Sequence, residues 1–118
     1  MTLLATLSLL PASVAADDAA IKKQLVGSWK GPDGQTIILK EDGVMTDSDN
    51  DPGSKERWDM QDDTGHHRHG VLHTYFEATT ETGTTTGHNF FKIISLSETK
   101  LVIQDLYHGH HTGTWTRR

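Results

Sequence analysis

The chain has 118 residues, no cysteine and a formal net charge of −5, and 34% of its residues are hydrophobic. This length fits a single domain, and the lack of cysteine excludes disulfides as a source of stability. No segment gathers lysine and arginine, which argues against nucleic acid or an anionic membrane surface as a partner. The small apolar fraction favours one curled sheet over a helical bundle, because a barrel buries only one face of each strand.

Residues 1–16 have the pattern of a secretory signal peptide. A leucine-rich centre ends at Pro11, and Val14-Ala15-Ala16 supplies the small residues that a signal peptidase requires. The apolar run is too short to span a bilayer as a helix. We therefore predict export to the periplasm or the extracellular space, with a mature domain at residues 17–118. The alternative is a buried N-terminal helix, since no lysine or arginine precedes the apolar run.

One short helix and about eight strands are predicted in the mature domain. The helix would begin at Asp17-Asp18, with Ile21 and Leu25 one turn apart on a face that covers one end of the sheet. Residues 79–87 are almost wholly threonine, glycine and glutamate, and they are predicted to form a wide hairpin loop. The predicted strands are residues 25–30, 36–40, 44–46, 56–61, 71–79, 89–96, 101–107 and 113–116.

Two matched tripeptides stand in the first and the last of these strands. They are Gly27-Ser28-Trp29 and Gly113-Thr114-Trp115. If the first and last strands are neighbours, the sheet closes and leaves no unpaired edge. The sequence therefore predicts an all-β fold, a single small antiparallel up-and-down barrel in which these two strands pair.

The same features resemble the small bacterial lipocalin-like domains of exported proteins, within the calycin group. The resemblance covers nearly all of the mature domain. It rests on the glycine and tryptophan of Gly27-Ser28-Trp29, on a hairpin turned at Asp42-Gly43, and on the closing Trp115 followed by arginines. It implies that Trp29 packs at the base of a barrel and that a basic residue, Arg117 or Arg118, lies across its ring.

The lipocalin-like pattern motivates a non-catalytic binding protein whose interior accepts a small apolar or amphipathic ligand. For Trp29 and Trp115 the alternative is a purely structural role in the core. A cavity of about 300 Å³ or more would favour a carrier. The candidate ligand-binding residues are Trp29, Trp58, Phe91, Ile93 and Ile103, with Ile38 and Leu101 as further interior side chains.

The chain has eight histidines, and three of them are predicted to converge. Facing positions in the hairpin of the sixth and seventh strands have numbers that sum to about 196, which pairs Lys92 with Gln104 and His88 with His108. His110 then lies diagonally on the same face. Imidazole nitrogens suit zinc and copper, so His88, His108 and His110 are the candidate metal ligands. The alternatives are adventitious metal binding and exposed histidines without a role.

Other functional classes have less support in the sequence. We find no nucleophile elbow, no phosphate-binding loop and no His-Glu-x-x-His motif, so we do not expect an enzyme. Residues 47–51 alternate oxygen-bearing side chains as a calcium loop does, but Pro52 and Trp58 occupy the places of its glycine and its bidentate carboxylate. A protein-interaction or inhibitor module that acts through residues 79–87 stays open as a further alternative.

Overall fold

The computed structural model describes residues 14–49 and 55–118. In this part of the chain one helix precedes a single sheet of eight strands, and all the ladders are antiparallel. The strands follow one another in the spatial order β3-β2-β1-β8-β7-β6-β5-β4. The predicted all-β fold with a short N-terminal helix is confirmed. The elements are α1 (Val14–Leu25), β1 (Gly27–Lys30), β2 (Thr36–Leu39), β3 (Met45–Asp47), β4 (Lys55–Met60), β5 (Val71–Thr80), β6 (Gly83–Leu96), β7 (Lys100–Asp105) and β8 (Thr112–Arg117).

The sheet is continuous between its first and last strands, because β1 pairs with β8. Trp29 stands opposite Arg117, and Lys30 stands opposite Thr116. Next to this pair, Leu101 of β7 faces Trp115. The predicted pairing of the strand of Trp29 with the strand of Trp115 is therefore confirmed.

The two outer strands, β3 and β4, meet and nearly close the barrel. Val44 forms an isolated bridge with Arg57, and the backbone N–H of Trp58 donates to the carbonyl of Gly43 at 2.9 Å. The indole N–H of Trp58 donates to the carbonyl of Lys40, also at 2.9 Å. These contacts satisfy backbone groups that an open sheet would leave exposed at its edges. We call this junction the seam.

A hydrophobic core fills the end of the barrel next to α1. The indole of Trp29 is 0% exposed and that of Trp58 is 2% exposed. Leu25 at the end of α1 belongs to this cluster, and Ile21 packs against it. The helix therefore covers one end of the sheet, as the spacing of these two residues predicts, although it begins at Val14 and not at Asp17.

Most of the predicted signal peptide, residues 1–13, lies outside the described residues. Export and the domain boundary at residue 17 stay predictions. Residues 50–52, which belong to the excluded calcium loop, also lie outside them. Within the described ranges, no helix is both long enough and apolar enough to cross a membrane.

The prediction of a wide loop at residues 79–87 is wrong. Strand β5 continues to Thr80 and β6 begins at Gly83, so only two residues form the turn. Threonine is β-branched and favours strands. The hydroxyl oxygens of Thr79 and Thr84 lie 3.2 Å apart across the ladder. The threonines thus extend the hairpin, and its tip is exposed.

The placement of Ile38 in the interior is also wrong. Its neighbours Ile37 and Leu39 are 7% and 0% exposed, whereas Ile38 is 36% exposed. Successive side chains of a strand point to opposite faces. Because Ile37 and Leu39 point inward, Ile38 between them points to the outer surface.

Candidate functional site

The barrel holds a cavity of about 450 Å³ at the end away from α1. Strand β8 runs between the two ends. Thr112 and Gly113 line the cavity, whereas Arg117 donates to the carbonyl of Gln24 in α1 at 2.6 Å. Ligand pockets commonly measure about 300–1,000 Å³. The cavity is therefore large enough for a small ligand and exceeds the volume of about 300 Å³ expected of a carrier.

The wall of the cavity is mainly apolar and aromatic. On β5 the inward side chains are those of Leu72, Thr74 and Phe76, and on β6 Asn89 and Phe91 face them. This arrangement follows from the alternation of side chains along each strand. Apolar or aromatic residues that line the cavity are Pro32, Ile37, Met45, Leu72, Tyr75, Phe76, Phe91, Ile103 and Trp115.

A glycine makes room for one of these aromatic rings. Gly87 of β6 stands opposite Phe76 of β5. A side-chain carbon built on Gly87 would collide with the ring of Phe76. The absence of a side chain at this position therefore lets the ring lie across β6 while it lines the cavity.

Three carboxylates also line the cavity, those of Asp47, Glu56 and Asp105. Glu56 is 7% exposed. Burial raises the pKa of Asp105, but hydrogen bonds from the backbone N–H groups of Tyr107 and His108 outweigh this effect and leave the pKa below its usual value. Asp105 is therefore ionised at neutral pH. The described lining residues include neither lysine nor arginine.

At the opposite end, Arg117 covers Trp29. Its guanidinium carbon lies 4.2 Å from the centroid of the indole, and the indole N–H donates to the carbonyl of Leu25 at 2.9 Å. Arg118 instead donates to the hydroxyl of Thr36 at 2.9 Å. Of the two arginines that the resemblance left open, the structure thus selects Arg117 as the cation on the ring.

No protein-family model and no curated protein matches the chain. Among solved structures, it is similar to a lipocalin-like protein from Bacteroides thetaiotaomicron, with 17% sequence identity and a TM-score of 0.54. The alignment covers 80% of this chain and 96% of that chain. The chain has a lipocalin-like fold.

Two of the five candidate ligand-binding residues line the cavity of this lipocalin-like barrel. They are Phe91 and Ile103. Trp29 and Trp58 lie in the core beside α1, and Ile93 packs against that core. Trp115, for which the sequence also leaves open a purely structural role, lines the cavity. The sequence does not indicate the lining residues on β5, because its pattern leaves open which face of the middle strands points inward.

The structure does not bring His88, His108 and His110 together. His88 instead contacts His73, with Nδ1 of His88 2.9 Å from Nε2 of His73. The other ring nitrogen of His73 lies 2.9 Å from the carboxylate of Asp59. Among the residues that the structure describes, no group of three or more histidine or acidic side chains could hold a metal ion.

The reason is that the β6–β7 ladder ends before it reaches the histidines. Lys92 stands opposite Gln104 as predicted, but the last pair is Phe91 with Asp105. The backbone N–H of Asp105 then donates to the carbonyl of His111 at 2.9 Å, so residues 106–110 form a loop. His108 lies in this loop, and the counting rule for facing residues no longer applies there.

A second polar cluster joins this loop to residues 62–68. Asp62, whose side chain is 1% exposed, accepts hydrogen bonds from the backbone N–H and Nε of Arg68, both at 2.7 Å. The arginine holds the pKa of Asp62 well below its usual range. Arg68 also donates to the hydroxyl of Tyr107 at 3.0 Å, and that hydroxyl donates to Asp63. The cluster fixes both loops beside the barrel, and no motif in the sequence points to it.

Proposed function

We propose that the protein is a non-catalytic binding protein that holds a small apolar or amphipathic ligand inside its lipocalin-like barrel. The cavity of about 450 Å³ is the observation that carries this proposal. Its aromatic and aliphatic wall would gain free energy by covering an apolar ligand, at about 25 cal/mol per Å² of buried apolar surface. The few polar groups on the wall would orient the ligand.

The experiment uses a neutral environment-sensitive dye, N-phenyl-1-naphthylamine, and native mass spectrometry. We expect a 1:1 complex and a rise in dye fluorescence. Asn89 lines the cavity, so Asn89→Trp should fill it and weaken dye binding roughly tenfold. Thr114, exposed on β8, offers a matched control, and Thr114→Trp should bind as the unaltered protein does. A dye that does not bind, or that binds Asn89→Trp equally well, contradicts the proposal.

Export is the second part of the proposal, and it rests on the signal-peptide pattern of residues 1–16. We expect the protein in the envelope or the medium, with Asp17 as its first residue. Fractionation followed by N-terminal sequencing tests this. An intact Met1 in the cytoplasmic fraction contradicts it.

Two alternatives stay predictions. Zinc or copper binding by His88, His108 and His110 would require the loop at residues 106–110 to change its conformation. Calorimetric zinc titration of the protein and of the His88→Ala, His110→Ala double variant tests it, and equal weak heats contradict a specific site. An interaction module at residues 79–87 would use the exposed hairpin tip, and pull-down from envelope extract with the tip residues replaced tests that alternative.

A further inference from the structure

We infer that the ligand of this cavity is a cationic amphipath, an alkyl chain that ends in a quaternary or protonated amine. This inference rests on the proposed function and adds the charge of the ligand to it. Two independent properties of the wall support it. These are the sign of its charges and the number of aromatic rings beside them.

The charged groups that the structure describes in the wall have one sign. Asp47 on β3, Glu56 on β4 and Asp105 at the end of β7 are carboxylates. The nitrogen base among the described lining residues is His111, which is exposed at the rim. A carboxylate ligand would bring a further negative charge beside these three. A cation would instead meet opposite charges in a site of low dielectric constant, where attraction is stronger than in water.

Two of the carboxylates lie on either side of the seam. Val44, next to β3, forms the isolated bridge of the seam with Arg57 of β4, and Glu56 directly precedes Arg57 on β4. Met45 and Asp47 share the inward face of β3, because they are two residues apart. Asp47 and Glu56 therefore line the cavity from the two strands that meet at the seam. Both carboxylates would contact the same end of a ligand.

Aromatic rings complete the binding surface. The rings of Phe76, Phe91 and Trp115 line the same cavity as the carboxylates, whereas the ring of Tyr75 stacks on His73 at the outer surface. The faces of aromatic rings attract cations, and several rings together recognise quaternary ammonium groups. Methyl groups on the nitrogen also bury apolar surface against such rings. An alkylammonium ion fits both properties of the wall, whereas a fatty acid fits only its apolar part.

The first experiment compares three probes of equal chain length, decyltrimethylammonium, decanol and decanoate. Each is used to displace N-phenyl-1-naphthylamine at pH 7 and below its micelle concentration. We expect the cation to bind roughly tenfold more tightly than decanoate, with decanol between them. Added salt should weaken the binding of the cation more than that of decanol, because salt screens the charge of the cation and decanol has no charge.

The second experiment removes the charge without a change of shape. Glu56→Gln should weaken decyltrimethylammonium roughly tenfold and leave decanol unchanged. Glu77, exposed at the outer end of β5, provides the control Glu77→Gln, which should change neither. Asp47→Asn is the second variant in case Glu56→Gln does not fold, and circular dichroism checks the fold of each.

The outcomes separate the two proposals. If decanoate binds as tightly as the cation, or if neither Glu56→Gln nor Asp47→Asn weakens the cation, the cationic ligand is contradicted and the apolar cavity stands. If the dye itself does not bind, both proposals fail.

Discussion

Arg117 connects several elements at the end of the barrel that α1 covers, and we expect its substitution to lower the free energy of unfolding. Its guanidinium donates to the carbonyls of Gln24 at 2.6 Å, Val26 at 3.0 Å and Glu98 at 2.7 Å. It also lies 4.2 Å from the centroid of the Trp29 ring. One side chain thus connects the helix, the first strand and the β6–β7 turn. The perturbation that tests this connection is Arg117→Ala.

The expected loss of stability follows from these four contacts. A hydrogen bond removed from a protein costs about 1 kcal/mol when water can replace part of it. Three such bonds therefore amount to about 3 kcal/mol, and a partly exposed cation–π contact adds about 0.5 kcal/mol. Since Arg117 is half-buried, water reaches some of the freed carbonyls. We expect a loss of about 3 kcal/mol in the free energy of unfolding.

Urea unfolding followed by tryptophan fluorescence measures this loss. Arg118→Ala is the matched control, because the described contact of the Arg118 side chain is one exposed hydrogen bond to the hydroxyl of Thr36. This variant should cost less than about 1 kcal/mol. Arg117→Lys keeps the charge but loses the planar fork of donors, so its loss should be intermediate. Equal losses for the alanine variants of the two arginines would refute the role of Arg117.

Three further variants test other parts of the barrel. Gly27 has a φ of 137°, and an added Cβ would lie 2.6 Å from Nη1 of Arg117, so Gly27→Ala should cost about 2 kcal/mol in urea unfolding. The cost should be smaller in an Arg117→Ala background, because the collision is then absent. Asp62→Asn should lose about 2 kcal/mol at pH 7. The pKa of Asp62 is depressed below 3.8 in the folded protein, so the ionised carboxylate stabilises the fold fully above that pH. As the pH falls further, the difference in the free energy of unfolding between the unaltered protein and Asp62→Asn should become smaller. A difference that grows in acid contradicts this. Gly87→Ala should push the Phe76 ring towards the cavity and weaken dye binding, and unchanged binding would show that the ring has room elsewhere.

The closure of the barrel was predictable because it depends on local rules. Turn residues mark the ends of short strands, and alternation then assigns most side chains to a face. The matched glycine–tryptophan tripeptides point to the pairing of β1 with β8, which the structure shows with Trp29 opposite Arg117. The placement of an arginine on this indole came from the resemblance, and composition alone would not have supplied it.

The cavity wall was not predictable, because the two faces of β5 are alike at its start, where Val71 and His73 share one face and Leu72 and Thr74 share the other. Val71, Leu72, His73 and Thr74 are all buried, with exposures of 2%, 1%, 8% and 7%. Alternation carries information only when one face is polar. His73 is covered on the outer surface by the rings of its neighbours, and its centroid lies 4.7 Å from that of Phe90. When both faces of a strand are buried, the sequence pattern does not show which face points to the cavity.

The prediction that His88 faces His108 is wrong because of a single residue, Asp105. The predicted strand runs to Tyr107, but the side-chain oxygen of Asp105 accepts hydrogen bonds from the N–H groups of Tyr107 and His108, both at 2.9 Å. Aspartate that bonds to the backbone two residues later forms a turn, so β7 ends there. The same carboxylate lines the cavity. The turn that removes His108 from a position opposite His88 therefore also places a negative charge in the wall of the cavity, where the cationic ligand that we propose would meet it.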